Sequence, residues 1–288
     1  MQSTRPTRNF FQFFSHLKSI GFAPGTIIDI GAAHGTPDLL NAFPGSYFVL
    51  FEPMKEFEPD LKSVLKKVNG EYHLCALLDK KEKIEISKPK DLCSTSLIGD
   101  KKDERLGIVN DNVIIQSDTL DNILHNKKLS EPFLIKTDCQ GGDLNALKGS
   151  VKTLAKCEVV IVEVSFFKFR GDSHPTLLDI VSFMENRGFV PYDLLDGLYR
   201  PLDHALGQID IAFVKKDSRF RMIHEWATEN SKPISYISSD DAYINEVREI
   251  LTAKSKRISE LEWIVNDLKK NCLTTVKNQA ALLSPVFN

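Results

Sequence analysis

Several protein classes are set aside by what this 288-residue sequence lacks. Its five cysteines, Cys75, Cys93, Cys139, Cys157 and Cys272, include no C-x-x-C pair and no regular spacing. An odd, scattered set reads as reduced thiols in a cytoplasmic protein, not as a disulfide framework. No apolar run approaches the ~18–20 residues of a membrane helix, so no membrane insertion is expected. The early run Phe10-Phe11-Gln12-Phe13-Phe14 is interrupted by Gln12, His16 and Lys18, and no small-residue cleavage site follows, which argues against a signal peptide. A surplus of one charge is missing too: 37 Lys and Arg face 39 Asp and Glu. The chain therefore has no global pull toward nucleic acid or an anionic membrane, and neither partner is expected. Internal repeats and low-complexity tracts are absent as well.

What remains is ordinary for a globular protein, with 42% hydrophobic and 26% charged residues. The length fits one α/β domain of about 200 residues plus an appendage. Residues 1–25 hold a helical stretch in which Phe10, Phe13, Phe14, Leu17 and Ile20 share one face, closed by Gly21 and fitted to pack on the domain. From Thr26 to Lys216 strands alternate with helices, which predicts a doubly wound sheet. Strands are expected at Thr26–Ile30, Ser46–Phe51, Tyr72–Leu78 with a hairpin partner at Lys83–Ser87, Asn112–Gln116, Phe133–Asp138 and Glu158–Val164. Phe189–Leu195 and Asp210–Val214 read as an antiparallel pair at one edge. Residues 217–288 form a tail in which Ala242–Lys270 contains neither Gly nor Pro. Ile244, Val247, Leu251, Lys254, Ile258, Leu261, Val265 and Leu268 repeat there at steps of three and four. That heptad seam fits a helix lying on its own domain, or a coiled coil that joins subunits into a homo-oligomer.

The first strand leads straight into Asp29-Ile30-Gly31-Ala32-Ala33-His34-Gly35 and then a helix beginning at Pro37. A strand, a turn of small residues and a helix N-terminus bring backbone N–H groups and partial positive charge close to a ligand. The dinucleotide spacing Gly-x-Gly-x-x-Gly is not there. Asp29-x-Gly31-x-Ala33-x-Gly35 resembles instead motif I of S-adenosyl-L-methionine (SAM) methyltransferases, where the acidic residue helps hold the amino acid end of the cofactor. The second strand ends in Phe51-Glu52-Pro53, and a carboxylate at that position can accept both hydroxyls of a ribose. Ala76 lies where an adenine ring could rest.

Five segments together resemble the FkbM family of SAM-dependent methyltransferases: Asp29 to Gly35, Phe51-Glu52-Pro53, Asp118-Thr119-Leu120-Asp121, Ile135 to Asp143 with Leu147-Lys148-Gly149, and Ile161-Val162-Glu163. The fourth is the most specific, matching a K-x-D-x-[EQ]-G-x-[ED]-x-x-x-L-x-G pattern. Ala33, Gly142 and Asp143 depart from the family's usual Asn, larger residue and Glu. The resemblance spans roughly Phe10 to Lys216 and leaves the tail outside. It implies a Rossmann-like class I methyltransferase fold and methylation of a hydroxyl on a carbohydrate or sugar-nucleotide acceptor. On that reading Asp29, Gly31, Ala32, Gly35, Glu52 and Ala76 hold the cofactor, and Asp138, then Glu163, are candidates for the base that takes the hydroxyl proton. His34, Ser94, Thr95, Ser96 and Gln140 are candidates for acceptor contacts. Asp138 and Asp143 lie close enough to raise a magnesium site, but nothing else supplies a ligand set, so no metal is expected. The rivals are a nicotinamide-dependent oxidoreductase and a non-catalytic scaffold that retains the fold.

Overall fold

The interior strands are apolar on both faces because both faces are covered. In the computed structural model, which describes residues 7–88 and 111–225, every residue of β1 (Thr26–Ile30) is buried. Ile27 joins one core while Ile28 and Ile30 join the other. The same alternation runs through β8 (Cys157–Ser165), where Val159 and Ile161 face one layer and Val160, Val162 and Val164 the opposite one. Period-two alternation with two buried faces is the signature of a sheet between helical layers.

The helices divide accordingly. On one side lie α1 (Phe10–Ser19), α2 (Pro37–Ala42) and α3 (Glu58–Val64), contributing Phe13, Phe14, Leu17, Leu39, Leu61 and Val64. On the other lie α4 (Leu120–Leu124), α5 (Asp143–Lys148), α6 (Val151–Leu154) and α7 (Leu177–Glu185). Asn9 caps α1 through a reciprocal box with Gln12, whose side chain accepts from the Asn9 N–H.

The remaining strands are β2 (Tyr47–Phe51), β3 (Gly70–His73), β4 (Ala76–Leu77), β5 (Lys83–Lys88), β6 (Asp111–Asp118), β7 (Phe133–Thr137), β9 (Phe189–Tyr199) and β10 (Leu206–Lys215). The main sheet has seven strands in the order β3-β2-β1-β7-β8-β10-β9. The first five are mutually parallel, and β10 runs antiparallel to both its neighbours. The chain winds outward from β1 to β3, then crosses to β7. Direction therefore reverses between β1 and β7, the place where open α/β sheets bind ligands at their carboxyl edge.

Two local expectations need correction. Tyr72–Leu78 is not one strand: the β2–β3 ladder closes where the Glu52 N–H bonds the His73 carbonyl, and β2 has by then run out. Ala76–Leu77 instead joins a second sheet, β4-β6-β5. Lys83–Lys88 is accordingly the hairpin partner of β6, not of the strand before it. At the far edge β9 and β10 form the expected antiparallel pair, with β10 inside, where it buries Ile211 through Val214 on both faces, and the largely exposed β9 on the rim. The seam from Ile244 to Leu268 and the Ser94–Ser96 segment lie outside the described residues. Among those residues no helix is long and apolar enough to cross a membrane.

Candidate active site

A cavity of about 320 Å³ opens at the carboxyl edge of β1, β2 and β7. That volume is at the lower end of ordinary ligand sites. Its floor is the β1–α2 turn, Gly31 through Thr36, and its sides come from Glu52, Phe57, Cys75, Ala76, Leu77, Lys136, Asp138, Cys139 and Gln140. Gly31 holds φ +77, and a Cβ there would overlap the Asp138 carbonyl oxygen, so only glycine lets β1 and β7 close beneath the cavity. Ala33 is forced to φ 42 and Gln140 to φ 50, both in the left-handed region that side chains avoid.

The cofactor-side residues differ in their surroundings. Asp29 lies beneath the turn and does not line the cavity; its Oδ2 accepts from the Thr36 hydroxyl at 2.9 Å, and its Oδ1 is buried with no hydrogen-bond partner among the described residues. Burial pushes its carboxyl above the usual range, against the pull of Lys136 and Thr36. Glu52 lines the cavity and spends both oxygens on main chain, accepting from Ala33 N at 3.0 Å and Met54 N at 2.9 Å. Burial raises its carboxyl too, and those two amides partly offset the rise. Ala32, Gly35 and Ala76 also line the cavity, Ala76 beside Leu77 and Cys75. Phe57 and Ala76 belong to the small core under the second sheet, which walls this side with apolar surface.

On the β7 side Asp138 stands partly open, its side chain 38% exposed. Its Oδ1 accepts from Gln140 Nε2 at 3.1 Å and its Oδ2 faces Lys136 Nζ at 3.4 Å. Lys136 is the buried cation of this edge. Burial lowers its ammonium pKa, but Asp138, Asp29 and Asp210 raise it further, leaving it charged. Asp143 folds the turn that presents Asp138, since its two oxygens accept from Cys139 N and Gly141 N at 3.1 and 3.2 Å. Its carboxyl oxygens are therefore committed to the backbone, and among the described residues no group of three metal-ligating side chains exists.

Glu163 does not line the cavity. It sits on β8 directly across from Asp210 of β10 in the antiparallel register. Directly opposed like charges are unfavourable. Burial, followed by Asp138, Asp143 and Asp210, pushes the Glu163 carboxyl up to about 9. A carboxyl raised by burial and like charge releases its proton less readily, and its place outside the cavity sets it apart from Asp138. His34 is 64% exposed at the cavity mouth, paired with Asp60 at 3.0 Å and set edge-on to Phe57.

Sequence reasoning left Lys136, Asp210, Thr36 and Phe57 without roles. Lys136 alone carried a signal, as a lysine inside an otherwise apolar buried strand. The Asp118–Asp121 segment turns out to be a folding device. Asp118 accepts from Thr119 N and Asn122 Nδ2, Thr119 caps α4, and Asp121 accepts from Lys152 N and Thr153 N at the start of α6.

The fold and this site define a class, a Rossmann-like methyltransferase of the doubly wound type with carboxylates along one edge. Comparison with known proteins makes the family explicit. The family model described as the methyltransferase FkbM domain matches residues 29–191, over half of the chain, and the chain belongs to that family. It is a methyltransferase whose methyl donor is SAM, which sets aside the nicotinamide reading. No curated protein matches the chain. Similar solved structures include an rRNA methylase from Streptococcus thermophilus, 13% identical over 74% of this chain and 99% of that one, with a TM-score of 0.42. Magnesium protoporphyrin IX methyltransferase from Synechocystis with bound SAM is 10% identical, over 72% and 77%, with a TM-score of 0.39. A Burkholderia thailandensis 1,6-didemethyltoxoflavin-N1-methyltransferase with S-adenosylhomocysteine is 12% identical, over 72% and 79%, with a TM-score of 0.37.

The residues present fit SAM. Glu52 keeps second lone pairs for hydroxyl donors, and the Phe57–Ala76–Leu77 wall suits an apolar ring.

Proposed function

We propose that the protein transfers a methyl group to a hydroxyl oxygen of a carbohydrate or sugar-nucleotide acceptor. The observation that carries this reading is Asp138: a carboxylate at the end of β7, open to the cavity that Glu52 also lines and held by Lys136 and Gln140. Bound SAM supplies a methyl carbon made electrophilic by a sulfonium. The chain's own work is to orient and to accept a proton. Glu52 and the Gly31–Gly35 backbone seat the nucleoside part, and Asp29, beneath the turn, holds Thr36 of the cavity floor in place. Asp138 takes the proton of the attacking hydroxyl at its carboxylate. Lys136 and Gln140 fix the direction in which that carboxylate points, and such positioning is the larger part of catalysis for a simple displacement. A sugar hydroxyl gives up its proton only to a placed base, and a general base contributes about 10²–10⁴-fold.

Asp138→Asn tests this. The expected result is a fall in kcat of about a hundredfold or more with S-adenosylhomocysteine affinity unchanged, read by calorimetry beside a methyl-transfer assay over a sugar and sugar-nucleotide panel. A wild-type rate in the variant would remove Asp138 from the role. Tight cofactor binding with no turnover on any acceptor would favour the non-catalytic scaffold.

A further inference from the structure

The cofactor groups occupy the β1–β2–β3 half of the sheet edge, and the other half carries a feature the cofactor reading does not use. After β8 the chain makes the loop Phe166 to Pro175, and the tip of the β9–β10 hairpin overhangs the same carboxyl edge, since Gln208 pairs with Ser165 and the Phe166 N–H bonds the Gly207 carbonyl. The two segments pack together. The Arg200 guanidinium lies 3.8 Å over the Phe167 ring, and Phe167 and Phe169 are 5.6 Å apart. A Cβ on Gly207 would meet both Phe169 Cζ and Arg200 Cβ within 4 Å. Arg200 is itself clamped by two bonds to Asp203, so it serves as a flat extension of the aromatic surface. Phe169 is nonetheless 48% exposed, at the ligand-binding edge of the sheet.

This platform is joined to the proposed base. Arg170 Nη2 donates to Gln140 Oε1 at 3.3 Å, and the same Gln140 side chain donates to Asp138. A group resting at Arg170 is thus one side chain away from Asp138. A guanidinium presents its donors in a planar fork that matches phosphate, and an exposed ring offers a face for a flat or pyranose ring.

We infer that this loop and hairpin tip form the acceptor subsite, taking a ring compound that bears a phosphate, with the ring against Phe169 and the phosphate at Arg170. The inference rests on the methyltransferase reading above and narrows its acceptor class. The phosphate can belong to a nucleoside diphosphate or to a sugar phosphate, and the probes separate them. The full chain, saturated with S-adenosylhomocysteine, is titrated calorimetrically with UDP, glucose 1-phosphate, uridine and glucose. At least one phosphorylated probe should bind saturably, with its phosphate-free counterpart about tenfold or more weaker. Stronger binding of UDP assigns the aromatic face to a base, and equal or stronger binding of the sugar phosphate assigns it to the sugar. Arg170→Ala and Phe169→Ala should each weaken that binding about tenfold or more while S-adenosylhomocysteine affinity stays at the wild-type value. Failure of both phosphorylated probes while S-adenosylhomocysteine still binds overturns the inference alone. So do variants that bind the probe as well as wild type, or that lose cofactor affinity equally. A wild-type chain that binds no S-adenosylhomocysteine overturns the cofactor reading and this inference with it.

Discussion

Glu52 illustrates how one side chain links local folding to ligand binding. Its oxygens tie the Ala33 amide on one turn to the Met54 amide on the next, holding the cavity floor against its wall. Alanine removes both bonds and leaves two amides to find other partners, each worth about 1–3 kcal/mol when stranded. Glutamine keeps one acceptor oxygen and places a donor at the other. Glu52→Ala is therefore expected to weaken S-adenosylhomocysteine binding about 10- to 100-fold and to lower thermal stability, with Glu52→Gln falling between the variant and wild type. Calorimetry and thermal melts on the same samples check both halves, and unchanged affinity in the alanine variant would take Glu52 out of the cofactor site. Glu52, like Asp138, was legible in the sequence because each follows an apolar strand and precedes a turn. Asp210 was not, because it stands within a strand among apolar neighbours, and only the register that sets it opposite Glu163 gives it meaning.

At the scale of elements, the family's recurrent acidic segment is explained by packing. Asp121 lies in α4 but serves α6, with Oδ1 accepting from Thr153 N at 2.8 Å and from the Thr153 hydroxyl at 2.7 Å, and Oδ2 accepting from Lys152 N at 2.7 Å. A short helix such as α6 has few hydrogen bonds of its own, so an outside carboxylate at its N-terminus supplies much of its stability. Gly149, between α5 and α6, completes the arrangement, because a Cβ there would overlap the Leu78 carbonyl. Asp121→Ala should cost about 1–3 kcal/mol in urea denaturation and leave S-adenosylhomocysteine affinity as it was. A matched loss of cofactor affinity would contradict the purely structural assignment. The order and type of the elements were legible from hydrophobic alternation, which is strongest in strands buried on both faces, such as β1 and β8. The division of Tyr72–Leu78 was not, because an apolar run says nothing of where its neighbouring strand ends.

For the molecule as a whole, the arrangement that builds the site also sets its response to pH. Asp29, Asp138, Glu163 and Asp210 crowd one sheet edge around Lys136, the one buried Lys or Arg among the described residues, with Asp143 nearby. Burial is the first cause of the raised carboxyls at Glu163, about 9, Asp210, about 7, and Asp143, about 6, with neighbouring carboxylates adding to each. A carboxyl raised in the folded state binds a proton there that the unfolded chain has already released. Between the two values the folded state binds more protons, so stability is fully present below the unfolded value and falls as pH rises through the folded one. For Glu163 that window runs from about 4.5 to about 9. Opposing groups act at lower pH: Arg200 depresses Asp203 to about 2, and the Thr176 amide lowers Asp179, both on exposed surface where their weight is small. The melting temperature should therefore be highest in mildly acidic solution and fall by several degrees toward pH 9, a range set by the folded values just given. Glu163→Gln carries no titrating proton and should flatten about half or more of that fall, with Asp210→Asn acting in the same direction because the pair is directly opposed. Thermal melts of the three proteins from pH 5 to pH 9 check this. A wild-type melting temperature that stays level, or variants that fall as steeply as wild type, would mean that the edge carboxylates are solvated well enough to ionise without cost.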